Sequence, residues 1–199
     1  MNIQEKAKGY DEPSTFRGVH VEDKITESAK WEIQRYANDK DYQEKKQYTD
    51  EEAFELFGIE QNTEIDGNML LNEGINNLWT VACSGTGTKF DNTNAYIGVG
   101  DSSTAEAATQ TELQASTNRW YQVMDATYPT YGTSQLATFL ITVASANGNF
   151  AWGEMTISAG ANTGASPPTG TLNLCRKVSA QGTKIAGQTW VITYTVTLA

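Results

Sequence analysis

Histidine is almost missing from this sequence: His20 is the only one in 199 residues. A Ser-His-Asp or Cys-His centre would have to recruit that side chain from an irregular stretch near the start of the chain. Cysteine is nearly as scarce. Cys83 and Cys175 are too few for a disulfide framework and read as two reduced thiols in apolar stretches. One histidine and two distant cysteines also lack zinc-ligand spacing. The expectation is no catalytic residue, no cofactor and no metal. Long apolar runs are missing too, so no segment approaches the length of a membrane span. The opening "MNIQEKAKGYDEPS" has no hydrophobic signal core, which predicts a soluble chain made in the cytoplasm. Positive charge is short: the net charge of −10 disfavours nucleic acid and anionic membranes as partners.

The charges that are present crowd to one end. Residues 1–66 hold 9 Lys and Arg and 17 Asp and Glu, whereas the remaining 133 residues hold 5 and 7. The second region carries 22 of the 26 threonines. Threonine with little charge suggests β-sheet with uncharged polar faces. The break predicts two parts: a charged N-terminal arm over 1–65 with two short helices, and a β-sandwich domain over 66–199.

Residues 1–20 read as irregular. Over 24–38, "KITESAKWEIQRYAN", Ile25, Ala29, Ile33, Tyr36 and Ala37 fall on one helical face and predict a helix. Residues 39–48 are a charged link. Thr49-Asp50-Glu51-Glu52 is a capping box that opens a helix over 50–57, and Gly58 ends it. In "DGNMLLNEGINNLW", residues 66–79, Leu71, Ile75, Leu78 and Trp79 form a helical stripe, which predicts a short helix plugging one end of the sandwich. Strands then follow at 93–99, in "NRWYQVMDATYP", "QLATFLITVAS", "NFAWGEMTISAG" and "TLNLCRKV", with a short helix or turn at 106–116. In the last strand Trp190, Ile192, Tyr194, Val196 and Leu198 share one face and threonines dominate the other. The fold class is mainly β, an antiparallel β-sandwich with a mixed helical, charged N-terminal arm.

Three features could carry chemistry. "YIGVGDSST" begins like a phosphate loop, but Ser103 stands where a dinucleotide fingerprint needs its third glycine, and no Lys or Arg lies between Lys89 and Arg119. A strand ending in a glycine turn explains it better. Glu154, near Trp152, could act as an acid with a raised pKa, but a structural Glu that caps a neighbouring backbone or pairs with Arg119 or Arg176 is the favoured reading. "DNTN" at 91–94 offers oxygen ligands yet lacks the EF-hand glycine and distal Glu, so it reads as a turn. Trp79, Trp120, Trp152 and Trp190 would form a glycan platform only if two of them were exposed together.

Taken in order, "DGNMLLNEGINNLW", "NTNAYIGVGDSSTAEAATQTEL", "RWYQVMDATYPT", "NFAWGEMTISAG", "LNLCRKV", "GTK" and "QTWVITYTVTL" resemble a β-domain of tailed-bacteriophage structural proteins, found in capsid-associated and tail-fibre-like polypeptides. In that resemblance a strand ends at Gly98 and Gly100, and a polar stretch leads through Thr111 and Leu113 to the strand of Arg119. The likeness covers residues 66–199 and departs at the "SPPTG" loop. It brings no catalytic residues and implies a structural role without nucleotide.

The leading expectation is therefore a non-enzymatic virion protein, a capsid decoration (cement) protein on the outer capsid surface, assembled in the host cytoplasm. Its expected partners are the major capsid protein and copies of itself, as a possible trimer or dimer. The arm would latch onto neighbouring shell subunits and order on contact, with Ile25, Ile33, Tyr36, Phe54 and Phe57 as anchors. The competing expectation keeps the arm helices packed on their own β-domain. The alternatives in function are a tail, collar or fibre component attached through its N-terminal region, and a virion-surface glycan-binding module.

Overall fold

The structure, a computed structural model, describes residues 27–198. His20, Ile25 and the rest of the arm before Glu27 lie outside the described residues.

Among the described residues, ten strands form two antiparallel five-stranded sheets. The first sheet is built from β1 (Glu27–Tyr36), β2 (Asn62–Asp66), β6 (Thr130–Thr133), β7 (Leu136–Val143) and β10 (Thr189–Leu198), in the order β2-β1-β10-β7-β6. The second takes β3 (Met69–Leu70), β4 (Ala95–Gly100), β5 (Arg119–Val123), β8 (Glu154–Ala159) and β9 (Asn173–Val178), in the order β3-β9-β8-β4-β5. Their facing sides make the core, as the period-two pattern of β10 predicts. Trp190, Ile192 and Tyr194 are fully buried. Register extends each of them into a row across three strands. Trp31 and Phe139 flank Tyr194, Ile33 and Ile141 flank Ile192, and Arg35 and Val143 flank Trp190.

The segment over 24–38, expected as a helix, is instead strand β1 from Glu27 onward. It pairs with β10 along ten residues. The apolar spacing of Ala29, Ile33 and Tyr36 suits a helix, but Ala29, Trp31, Ile33 and Arg35 also alternate, and that alternation faces the core. The charge on Arg35 hides the second period, because an arginine reads as solvent-facing. Residues 27–65, expected as part of an arm beside the sandwich, thus supply β1 and β2 to the first sheet. They also carry two short helices, α1 (Asp39–Gln43) and α2 (Asp50–Phe57). The capping box of α2 forms as expected. The Thr49 hydroxyl accepts from the Glu52 amide at 3.2 Å, and the Glu52 carboxylate accepts from the Thr49 amide at 2.9 Å.

The helix expected in 66–79 is α3 (Asn72–Ser84), preceded by β3. Of the expected stripe, Leu71 at the N-cap is fully buried and Ile75 half-buried, while Leu78 and Trp79 are exposed. The helix docks through Gly74 and Asn77, its two buried residues. A Cβ on Gly74 would lie 2.6 Å from the carbonyl oxygen of Asn173, so only glycine lets the helix approach β9 this closely.

Residues 101–118 contain no helix and lie over the outer face of the second sheet. Strand β8 is consequently buried on both sides. Met155 and Ile157 point to the core, and Glu154, Thr156 and Ser158 point under this covering, where Leu113 and Ala115 are also buried.

Candidate interaction surface

The glycines of "YIGVGDSST" belong to this covered face. A Cβ on Gly98 would meet the Tyr121 ring at 2.5 Å, and one on Gly100 would meet the Glu154 carboxylate at 2.6 Å. The pair makes room for side chains of the neighbouring strands, and β4 leads into coil rather than into a helix N-terminus.

Glu154 lies against Arg176, and both side chains are fully buried. Arg176 donates from Nε at 2.7 Å, while the backbone amides of Gln114 and Ala115 donate to the same carboxylate at 2.9 and 2.7 Å. The guanidinium also donates to the Thr104 carbonyl and the Gln110 side chain, both at 2.9 Å. Strands β8 and β9 are thereby stapled to both ends of the covering segment. Arg119 instead pairs with Glu112 at 2.8 Å. Every oxygen of Glu154 is engaged, so the cluster is a clamp and offers no open face to a substrate.

Two further cations are buried. Arg35 sits 4.8 Å over the Trp190 ring and donates to the carbonyls of Glu60 and Gln181 and to the side chain of Gln181. Loss of solvent pulls its pKa down to about 10, with Glu60 acting the other way. Lys184 donates to the carbonyls of Ala144 and Asn147 and to the Asn149 side chain at 2.8–3.0 Å. Burial lowers its pKa to about 8, against the pull of Asp39. Each ties a loop to the sandwich.

"DNTN" is a turn: one oxygen of Asp91 accepts from the amides of Thr93 and Asn94 and from the Asn94 side chain. Among the described residues no three His, Cys, Asp or Glu side chains are grouped to hold a metal ion. Trp31, Trp152 and Trp190 are buried, Trp120 is half-buried, and Trp79 stands exposed, so the described tryptophans form no paired platform. Cys83 is exposed on α3 and Cys175 is buried in β9.

The expected anchors separate. Ile33, Tyr36 and Phe57 are buried within the chain's own body, while Phe54 is 69% exposed. Ile25 lies outside the described residues. Phe54 and Leu56 are exposed on opposite edges of the buried side of α2, and the Gln188 side chain ties that helix to the start of β10 by donating to the Leu56 carbonyl at 3.0 Å.

A larger apolar surface lies at the other end of β10. Because α3 docks through Gly74 and Asn77, its stripe of Ile75, Leu78 and Trp79 faces the open end of the sandwich. There it meets Phe139, Val196 and Leu198 of the first sheet across a trough of about 900 Å³. Trp79 is 62% exposed and Tyr131, on the opposite wall, 72%. Lys89 and Asp91 are the charged residues on its lining. The helical stripe was legible in the sequence as apolar; that it stays open was not, because Gly74 reads as a weak helix position rather than as the docking point.

The chain matches no protein-family model, and no curated protein and no solved structure is significantly similar to it.

Proposed function

We propose that this chain is a non-enzymatic structural protein of a tailed-bacteriophage virion, a capsid decoration (cement) protein that bridges neighbouring shell subunits. The proposal starts from the ordered resemblance of residues 66–199 to phage structural polypeptides. One observation supports it above the others: exposed apolar side chains sit at both ends of the sandwich. Phe54 and Leu56 lie near the start of β10 and the trough near its end, about 30 Å apart for ten extended residues. Exposed apolar patches of this kind mark protein contacts. Near the start of β10 the buried Arg35 and Lys184 tie loops to the sandwich. The proposed partners are the major capsid protein and further copies of this chain, with residues 1–26 as the part of the arm left to reach a neighbour.

The test is binding to expanded shells that lack the protein. The reading predicts near-stoichiometric uptake and a higher shell disruption temperature. The double variant Phe54→Ser with Leu56→Ser should fold normally and lose most of that uptake. Shells that neither bind the chain nor gain heat resistance would contradict it.

A further inference from the structure

We propose that the apolar trough between α3 and the open end of the sandwich is the docking face for a second copy of this chain, related to the first by a two-fold axis. This pairing rests on the self-association in the proposed function and names the face that carries it.

The trough is held open by the way α3 is pinned. A Cβ on Gly74 would overlap the Leu174 Cα, so the helix already touches the backbone of β9 there. One turn on, the Asn77 side chain donates to the Thr88 carbonyl at 2.8 Å and accepts from the Thr88 amide at 3.1 Å. The helix cannot roll inward to bury Leu78 and Trp79 without breaking these contacts. Leu78, Trp79, Tyr131 and Leu198 are four of the eight large apolar side chains exposed among the described residues, and all four line this one face. A fixed apolar face of this kind marks a protein contact.

Charge selects the partner. The chain carries −10, so two copies repel one another over most of their surface. In a two-fold contact a surface meets itself, and any net charge on it meets its like. That excludes the α2 end, where Asp50, Glu51, Glu52 and Glu55 share the helix with Phe54 and Leu56 and no basic residue offsets them. The charged lining of the trough is one cation and one anion, Lys89 and Asp91, two residues apart. An axis passing near Phe90 sets Lys89 of each copy against Asp91 of the other. One Asp91 oxygen is taken by its own turn, which leaves the second for a cation. A small apolar molecule in the trough would leave Trp79 and Tyr131 standing in water on its walls, whereas a facing copy covers them. Tryptophan and tyrosine are also the side chains that dominate protein interfaces.

Sedimentation velocity of the intact chain over a concentration series reads the pairing. The expected result is a reversible monomer–dimer equilibrium. Trp79→Ser removes an exposed side chain and should raise the dimer dissociation constant at least about tenfold. Tyr131→Ser, on the opposite wall, should act in the same direction. Lys89→Glu gives the face a net charge and should weaken the dimer more at low salt than at high salt. The double variant Phe54→Ser with Leu56→Ser should dimerise like the parent chain. A chain that stays monomeric at every concentration would overturn the proposal. So would a dimer indifferent to both Trp79→Ser and Tyr131→Ser, or a growing series of larger oligomers, which marks a head-to-tail contact. An apolar molecule found bound to the intact chain by native mass spectrometry would overturn it too. Shell uptake is read separately: a dimer that ignores shells contradicts only the virion reading, and a monomer that binds them contradicts only this pairing.

Discussion

Arg35 shows how one side chain can hide an element. Its position in the inward alternation of β1 is filled by a cation that the fold satisfies with carbonyls, an amide oxygen and the Trp190 face. Replacing it with Met would leave the buried Gln181 carbonyl without this donor, while the Gln181 side chain keeps a bond from Thr63, and we expect Arg35→Met to cost about 1–3 kcal/mol. A lower denaturant midpoint at unchanged slope would show this; an unchanged midpoint would mean that the carbonyls find water instead. Tyr121 makes a pH-dependent prediction. Burial pushes its hydroxyl well above the ordinary tyrosine value, and Tyr48 is raised to about 12 for the same reason, helped by Asp41. The unfolded chain therefore releases these protons first, at about pH 10. Stability from this source is complete below that pH and is lost as pH climbs toward the folded values. Tyr121→Phe should flatten the decline in unfolding free energy above pH 10, and superimposable profiles would remove Tyr121 from the account.

At the scale of elements, the covering of the second sheet depends on the Glu154–Arg176 clamp. Glu154→Gln leaves the guanidinium without its carboxylate, at an expected cost of about 3–5 kcal/mol. Hydrogen exchange should accelerate at the amides of Gln114 and Ala115 and through 101–118, while the β1–β10 ladder keeps its protection. A uniform loss would show that the segment is not a separate unit. The pairing of Glu154 with an arginine was legible from the scarcity of charge around it; the choice of Arg176 needed the β8–β9 register. Strand β10 was legible throughout, because Trp190, Ile192 and Tyr194 alternate with Thr and Val without a conflicting period. The α2 capping box was legible because its hydrogen bonds are local. Strand β1 was not, since its two periods compete within ten residues and only the long-range partner β10 decides between them. The covering segment was not legible either: it has no period of its own, and β8 buries it from outside its sequence neighbourhood.

At the scale of the molecule, the sandwich exposes apolar side chains at both ends of β10. The division of labour between body and arm is narrower than charge alone suggests, because residues 27–66 supply the inner strand β1 and the edge strand β2 to the first sheet despite their charge. The most direct measurement of the central claim is the copy number of this chain per virion, by quantitative mass spectrometry against the major capsid protein. A decoration protein predicts a ratio near one. A ratio of a few per hundred would contradict it and move the chain to the tail or fibre, and absence from the particle would contradict the virion reading altogether.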